Sequence, residues 1–265
     1  MGSLGNDTGV QELYSGPEGR LWELVAGEML HCGGYGNTVT LAGKVGVERG
    51  QRVLDLCSGF GTSLRFLAKR YDIHGKGLEA STHMVQEANR RTRAEGLEGA
   101  IEYRQGNATE IPWDDNTFDV VWGEDAWCYV DAKERLIEEA VRVLKPGGVM
   151  GFSDLMTGPQ GMTPEQAARI HGFLSFPCTE SLQGYVALLE ARGMTIRHAD
   201  DLCGQFVDSM ELYLQMITRQ LTYDALEILG DDTARLEEIC DEWRFMIEMG
   251  RAGRFGQGRV VAVKK

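Results

Sequence analysis

RVLDLCSGFG, residues 52–61, is the stretch of sequence that decides the fold of this chain. A short apolar run leads into a turn with two glycines, and residues 62–71 then carry apolar side chains at mostly helical spacing. This order predicts a buried strand, a tight loop and a helix. Such a loop lies at the carboxyl end of its strand, where open α/β sheets bind their ligands.

The same alternation of strand and helix continues along the chain. Four more apolar runs predict strands. Three of them span 74–79, 118–122 and 149–153, and the fourth begins at 101. Amphipathic stretches at 82–95 and 132–144 predict the helices between them. Repeated units of this kind, with buried strands, are typical of a doubly wound α/β fold with a mostly parallel sheet.

The chain beyond residue 154 predicts helical additions and two more strands. Glycines and prolines break the rhythm first, and we expect lid-like insertions at about 155–192 and 208–250 around a strand at 194–199. Residues 259–263 predict a seventh strand at the sheet edge. We divide the chain into a helical lead-in or cap, residues 1–48, and a core, residues 49–265.

The composition limits the classes of molecule that this chain is expected to bind. The 265 residues carry a net charge of −13, which repels a phosphate backbone and disfavours nucleic acid as a partner. No signal peptide and no membrane-length apolar run is visible, and six cysteines without a CxxC pair predict no metal site. We expect a cytoplasmic monomer or homodimer that acts on a small molecule.

The glycine turn and one acidic residue predict a nucleoside site. Leu64 occupies the third position of the pattern G-x-G-x-x-G after Gly59 and Gly61, which disfavours a dinucleotide and a nicotinamide oxidoreductase. Glu79 ends the second predicted strand, where a carboxylate can accept hydrogen bonds from two ribose hydroxyls.

Five segments together resemble the class I S-adenosylmethionine (SAM)-dependent methyltransferases. They occur in that family's order and are Val53-Leu54-Asp55 through Gly61, Gly77-Leu78-Glu79, Gly106-Asn107-Ala108, Phe118-Asp119-Val120-Val121, and Arg142 through Gly148. The resemblance implies a Rossmann-like fold whose seven-stranded sheet has an antiparallel last strand. It also implies SAM as the cofactor.

The resemblance assigns cofactor roles residue by residue. Asp55 and Gly59 would border the methionine part of SAM, Glu79 would hold the ribose, and Asn107 with Ala108 would face adenine. Gly61 is counted with the cofactor site as well. Glu124, also counted with the cofactor site, and Asp125 would line the path to the methyl group. Two positions depart from the family, which commonly has glycine where Cys57 stands and aspartate where Asn107 stands.

The prediction of the methyl acceptor and of the residues that bind it rests on fewer sequence motifs. Leu30 through Gly36 and Trp122 through Ala126 resemble the glycine, sarcosine and dimethylglycine N-methyltransferases and their phosphoethanolamine relatives. Candidate catalytic groups are His31, Glu124 and Asp125. The predicted substrate residues are Tyr35, Trp127, Tyr129, His171 and Arg219. An amino-acid acceptor needs a cation for its carboxylate, which Arg169, Arg219 or Arg244 can supply.

The favoured prediction is N-methylation of a small amine or amino acid, such as glycine, sarcosine or dimethylglycine, with release of S-adenosylhomocysteine. Methylation of a small thiol and methylation of a quinone or phenol are the alternatives within the same enzyme class. A SAM-binding regulatory protein without turnover is the alternative outside it, because a fold alone does not determine function.

Overall fold

The computed structural model describes residues 14–265, so residues 1–13 of the predicted lead-in lie outside it. The strands of the described chain are β1 (Arg52–Leu56), β2 (His74–Glu79), β3 (Ile101–Gln105), β4 (Phe118–Glu124), β5 (Leu144–Thr157), β6 (Met194–Asp201) and β7 (Phe255–Lys264).

Helices separate and follow these strands. They are α1 (Pro17–Ala26), α2 (Gly34–Val45), α3 (Thr62–Tyr71), α4 (Thr82–Ala94), α5 (Lys133–Val143), α6 (Pro164–Leu174), α7 (Leu182–Glu190), α8 (Cys203–Gln215), α9 (Thr222–Ile228) and α10 (Thr233–Arg251). A short 3₁₀ turn spans Trp127–Tyr129, and a π-helical turn spans Met216–Gln220.

The seven strands form one sheet in the order β3-β2-β1-β4-β5-β7-β6, with β7 antiparallel to both of its neighbours. The predicted Rossmann-like α/β fold, with a mostly parallel seven-stranded sheet and an antiparallel last strand, is confirmed. The expected edge position of the last strand is wrong, because β7 pairs with β5 on one side and β6 on the other. Its residues 255–262 are all buried, as is usual for a strand with neighbours on both sides.

Three groups of buried apolar residues hold the layers together. Helices α5 and α7 cover one face of the sheet, through residues such as Leu136 and Leu189, and α2 and α3 cover the other, through Leu41 and Leu64. The third group joins α1 to α6, α8 and α10. The lead-in therefore shares its core with the helical additions, while the boundary between 1–48 and 49–265 stays a prediction.

Over residues 14–265, none of the helices combines the length and the apolar character needed to cross a bilayer.

Candidate functional site

A cavity of about 890 Å³ opens at the carboxyl ends of β1, β2 and β4. The strand order reverses between β1 and β4, and this switch point is where open α/β sheets place their ligands. The loops after β1, β2 and β3 form one part of its lining. The end of β4, the 3₁₀ turn, the segment before α2 and Tyr14 form the other.

The glycine loop is fastened to β2 by its backbone. The amides of Cys57 and Ser58 both donate to the Leu78 carbonyl, at 2.8 and 3.2 Å. Cys57 has a φ of 60°, in the left-handed region that favours glycine, which explains why a glycine suits this position. Burial raises the pKa of the Cys57 thiol well above its ordinary value, and Glu79 and Asp55 add to the effect. A neutral thiol is a poor nucleophile, which argues against a catalytic role for Cys57.

Glu79 joins the glycine loop to the turn after β2. One carboxylate oxygen accepts from the Gly59 amide and the other from the Ser81 amide, each at 2.9 Å. The side chain is buried and lines the cavity. Farther along, Asn107 and Ala108 line the cavity as well, and the Asn107 side-chain oxygen accepts from the Thr109 amide at 2.9 Å.

Glu124, the last residue of β4, gathers donors from three parts of the chain. It accepts from Ser63 Oγ at 2.7 Å, from Thr38 Oγ1 at 3.0 Å and from Trp122 Nε1 at 3.0 Å. His31 Nε2 lies 3.5 Å from its Oε1 atom. These contacts hold the lead-in against the switch point of the sheet.

Asp125 makes a second such junction. Its φ of 49° turns the chain sharply after β4. Its carboxylate accepts from the Cys32 amide at 2.9 Å, from Ser153 Oγ at 2.9 Å and from Gln257 Nε2 at 2.7 Å. The structure thus brings the predicted trio of His31, Glu124 and Asp125 together at the cavity wall, and their catalytic role stays a prediction.

Asp55 adds a further buried carboxyl group at the end of β1. Burial raises its pKa well above the ordinary value, and the neighbouring Glu124 and Glu79 raise it further. Neighbouring acidic groups of this kind favour a cationic ligand, because a positive charge near Asp55 offsets the repulsion that raises its pKa. This part of the cavity therefore suits a ligand with positive charge.

Of the predicted substrate residues, Tyr129 is the one that lines the cavity within residues 14–265. Its hydroxyl lies 3.0 Å from that of Tyr14, and its ring packs edge-on against Phe176, with 4.9 Å between the centroids. Sequence analysis missed Tyr14, because nothing local indicates a contact with a residue 115 positions away.

The structure places the other four predicted substrate residues outside the lining of the cavity. Trp127 is a core residue, since it is fully buried, stacks on Phe152 at 4.1 Å and donates to the Leu56 carbonyl. Three further side chains lie away from the cavity: Tyr35 is half exposed against Phe66, His171 lies beside Thr179, and Arg219 is exposed in the π-helical turn.

Parts of this chain are similar in sequence or fold to known methyltransferases. Residues 54–152 match the family model described as a methyltransferase domain. A glycine/sarcosine/dimethylglycine N-methyltransferase of Actinopolyspora halophila is 42% identical over 116 residues, which are 44% of this chain and 20% of that protein. Phosphoethanolamine N-methyltransferase 1 of Triticum aestivum is 28% identical over 246 residues, 92% of this chain and 48% of that protein.

The chain thus spans half or less of the length of these two relatives. Among solved structures, phosphoethanolamine N-methyltransferase 2 of Haemonchus contortus, in complex with phosphomonomethylethanolamine and S-adenosylhomocysteine, superposes with a TM-score of 0.86. The match covers 98% of this chain and 60% of that one, and its identity of 20% speaks for the fold alone. Residues 54–152 thus match a methyltransferase domain, and the described chain shares the Rossmann-like fold of this solved structure.

Proposed function

We propose that this protein transfers the methyl group of SAM to the nitrogen of a small amine and releases S-adenosylhomocysteine. The observation that carries the proposal is one cavity in which Glu79 and the glycine loop adjoin a wall of buried carboxyl groups, those of Asp55, Glu124 and Asp125. The matched methyltransferase domain and the N-methyltransferase relatives support it.

The cavity fits SAM in size and in charge. Its volume lies within the usual range for sites of cofactor-sized molecules, about 300–1,000 Å³. Glu79 would hold the ribose hydroxyls, Asp55 the methionine ammonium, and Asn107 with Ala108 the adenine. When bound, SAM supplies a methyl group made electrophilic by its positively charged sulfur. The chain then has to position the acceptor in line and accept its proton.

We assign to His31 the role of accepting the proton that the acceptor loses. Thr38 Oγ1 lies 3.0 and 3.2 Å from the two oxygens of Glu124 and donates its single hydrogen there. Thr38 Oγ1 also lies 3.1 Å from His31 Nε2, and His31 Nδ1 lies 3.4 Å from the Cys32 carbonyl oxygen. When His31 takes up the proton, both ring nitrogens donate to these neighbours, and Glu124, 3.5 Å from Nε2, stabilises the charge that results.

The carboxylate wall favours nitrogen over sulfur or oxygen as the methylated atom. A thiol or a phenol reacts as an anion, and nearby carboxylates raise the pKa of either group and repel the anion. An ammonium group, by contrast, is attracted to the same wall before it loses its proton. Methylation of a thiol, quinol or phenol is therefore the second candidate function.

The test is a transfer assay with methyl-labelled SAM and separate pools of amines, thiols and quinols. We expect label in the amine pool, in step with release of S-adenosylhomocysteine. Label in the thiol or quinol pool instead would refute N-methylation but keep the methyltransferase assignment. Tight SAM binding with no labelled pool would favour the regulatory alternative.

Replacing His31 with asparagine should lower kcat by about a hundredfold, the usual contribution of a positioned base, and leave the SAM dissociation constant nearly unchanged. Steady-state kinetics and calorimetric titration measure the two quantities. His74→Asn is the matched control, because this exposed histidine begins β2 at the end of the sheet opposite the cavity. An unchanged kcat in His31→Asn would remove His31 from the proposed mechanism.

A further inference from the structure

The cavity is lined by many acidic side chains and by no lysine or arginine among the described residues. Seven of its lining residues carry a carboxyl group, and within residues 14–265 no lysine or arginine lines it. The carboxyl groups belong to Glu28, Asp55, Glu79, Glu110, Glu124, Asp125 and Asp131. Residues 1–13 contain no lysine or arginine either, so the remaining part of the chain has no basic side chain to contribute.

Three lysine and arginine side chains of residues 14–265 are buried, none of them lines the cavity, and each contacts other groups. Lys133 donates to the Val130 carbonyl and lies 3.6 Å from Cys178 Sγ. Arg65 donates to Glu28 at 2.7 Å and to Glu95 at 3.0 Å, so it neutralises one carboxylate of the lining. Arg259 donates to Asn37 at 3.1 Å and lies 3.6 Å from Asp200.

The arginines expected to hold an acceptor carboxylate lie elsewhere. Arg169 pairs with Glu242 at 3.0 Å and covers the Phe245 ring. Arg244 pairs on its own helix with Glu237 and Asp241. Arg219 is exposed. SAM brings one carboxylate of its own into the cavity. A carboxylate or phosphate on the acceptor would be a second anionic group there, without a lysine or arginine in the described lining to pair with and facing carboxyl groups instead.

We infer that the acceptor is a small amine without a carboxylate or phosphate group, its other substituents being neutral. The inference rests on the proposed function and narrows its substrate class. The acceptor arrives as a cation that the carboxylate wall attracts, and the ring of Tyr129 adds an aromatic face suited to ammonium groups. This chain would then differ in acceptor from the relatives named for sarcosine and phosphoethanolamine.

The reaction balances with the groups already described. The amine nitrogen forms a bond to the methyl carbon as the carbon–sulfur bond breaks, and the sulfur keeps the bonding electrons. The ammonium proton passes to His31 and from there to solvent. No oxidant, metal or further reactant enters.

Matched pairs of acceptors test the inference on the full chain with labelled SAM. N-methylethanolamine is compared with sarcosine, ethanolamine with phosphoethanolamine, and glycinamide with glycine, and affinity for the S-adenosylhomocysteine complex is titrated alongside. We expect the member without the anionic group to have a kcat/KM at least about a hundredfold higher, which is about 2.8 kcal/mol at 1.4 kcal/mol per tenfold.

Two variants test whether the acidic lining causes the preference for acceptors without an anionic group. Asp131→Asn removes an exposed lining carboxylate and should reduce the preference several-fold, whereas Glu134→Gln, outside the cavity at the start of α5, should leave it unchanged. Equal or better use of the anionic members would overturn the inference and leave N-methylation standing. Failure of every amine to bind would overturn it as well, and label on a thiol or quinol would refute the proposed function itself.

Discussion

Replacing Glu79 with alanine is expected to weaken SAM binding by a hundredfold or more. Hydrogen bonds to a charged group contribute about 1.5–3 kcal/mol each, so losing two from the ribose costs about 3–6 kcal/mol, or a factor of about 100 to 20,000. The carboxylate also holds the Gly59 and Ser81 amides in place. Its loss therefore loosens the glycine loop as well as the ribose contact.

Calorimetric titration of SAM, with urea unfolding of the same samples, separates these two effects. Glu79→Gln keeps an acceptor oxygen but removes the charge, and we expect it to lie between the alanine variant and the wild-type protein. Glu102→Gln, on the exposed side of the neighbouring strand β3, is the matched control and should bind SAM normally. A folded Glu79→Ala protein with unchanged SAM affinity would disprove the cofactor assignment.

Replacing Gly61 with alanine should lower the free energy of unfolding by about 2–5 kcal/mol. The residue has a φ of 71°, and the left-handed conformation costs about 1–2 kcal/mol for a residue with a Cβ atom. That atom would also lie 2.1 Å from the Tyr103 hydroxyl oxygen, and overpacking costs about 1–3 kcal/mol. Tyr103 cannot easily move, because its hydroxyl donates to the Gly61 carbonyl and accepts from Thr92.

Gly59→Ala is the matched control for this prediction. Gly59 has a φ of 51° but no atom within 4 Å of an added Cβ, so only the conformational cost of about 1–2 kcal/mol applies. Urea unfolding of both variants measures the difference. Equal stabilities would mean that Tyr103 yields to the new methyl group and that Gly61 is required for its backbone conformation alone.

The central strands and the cofactor loop were predictable from local pattern. Buried strands such as β1 and β4 are short apolar runs bounded by turn residues, and amphipathic helices follow them at the expected spacing. Gly59 and Glu79 were found for a related reason. Each follows or ends its own strand, and parallel strands bring their carboxyl ends to one edge, so the contact between them follows from the fold class.

Contacts between distant segments were not predictable in this way. Tyr14 meets Tyr129, and His31 meets Glu124, only because the lead-in folds back over the switch point of the sheet. Trp127 follows β4 closely and is predicted to contact the substrate, yet its ring stacks on Phe152 instead. An aromatic residue near a site can face either the cavity or the core, and its neighbours in space decide which.

By itself the sequence determined the doubly wound fold, the glycine loop and the acidic residues of the site, because these depend on the apolar period and on turns within a few residues. Only the tertiary structure decided that β7 lies between β5 and β6 and that Arg169, Arg219 and Arg244 stay outside the cavity. Strand order and the direction of long side chains depend on how segments far apart in the chain bury their apolar surface together. No short stretch of sequence contains that information.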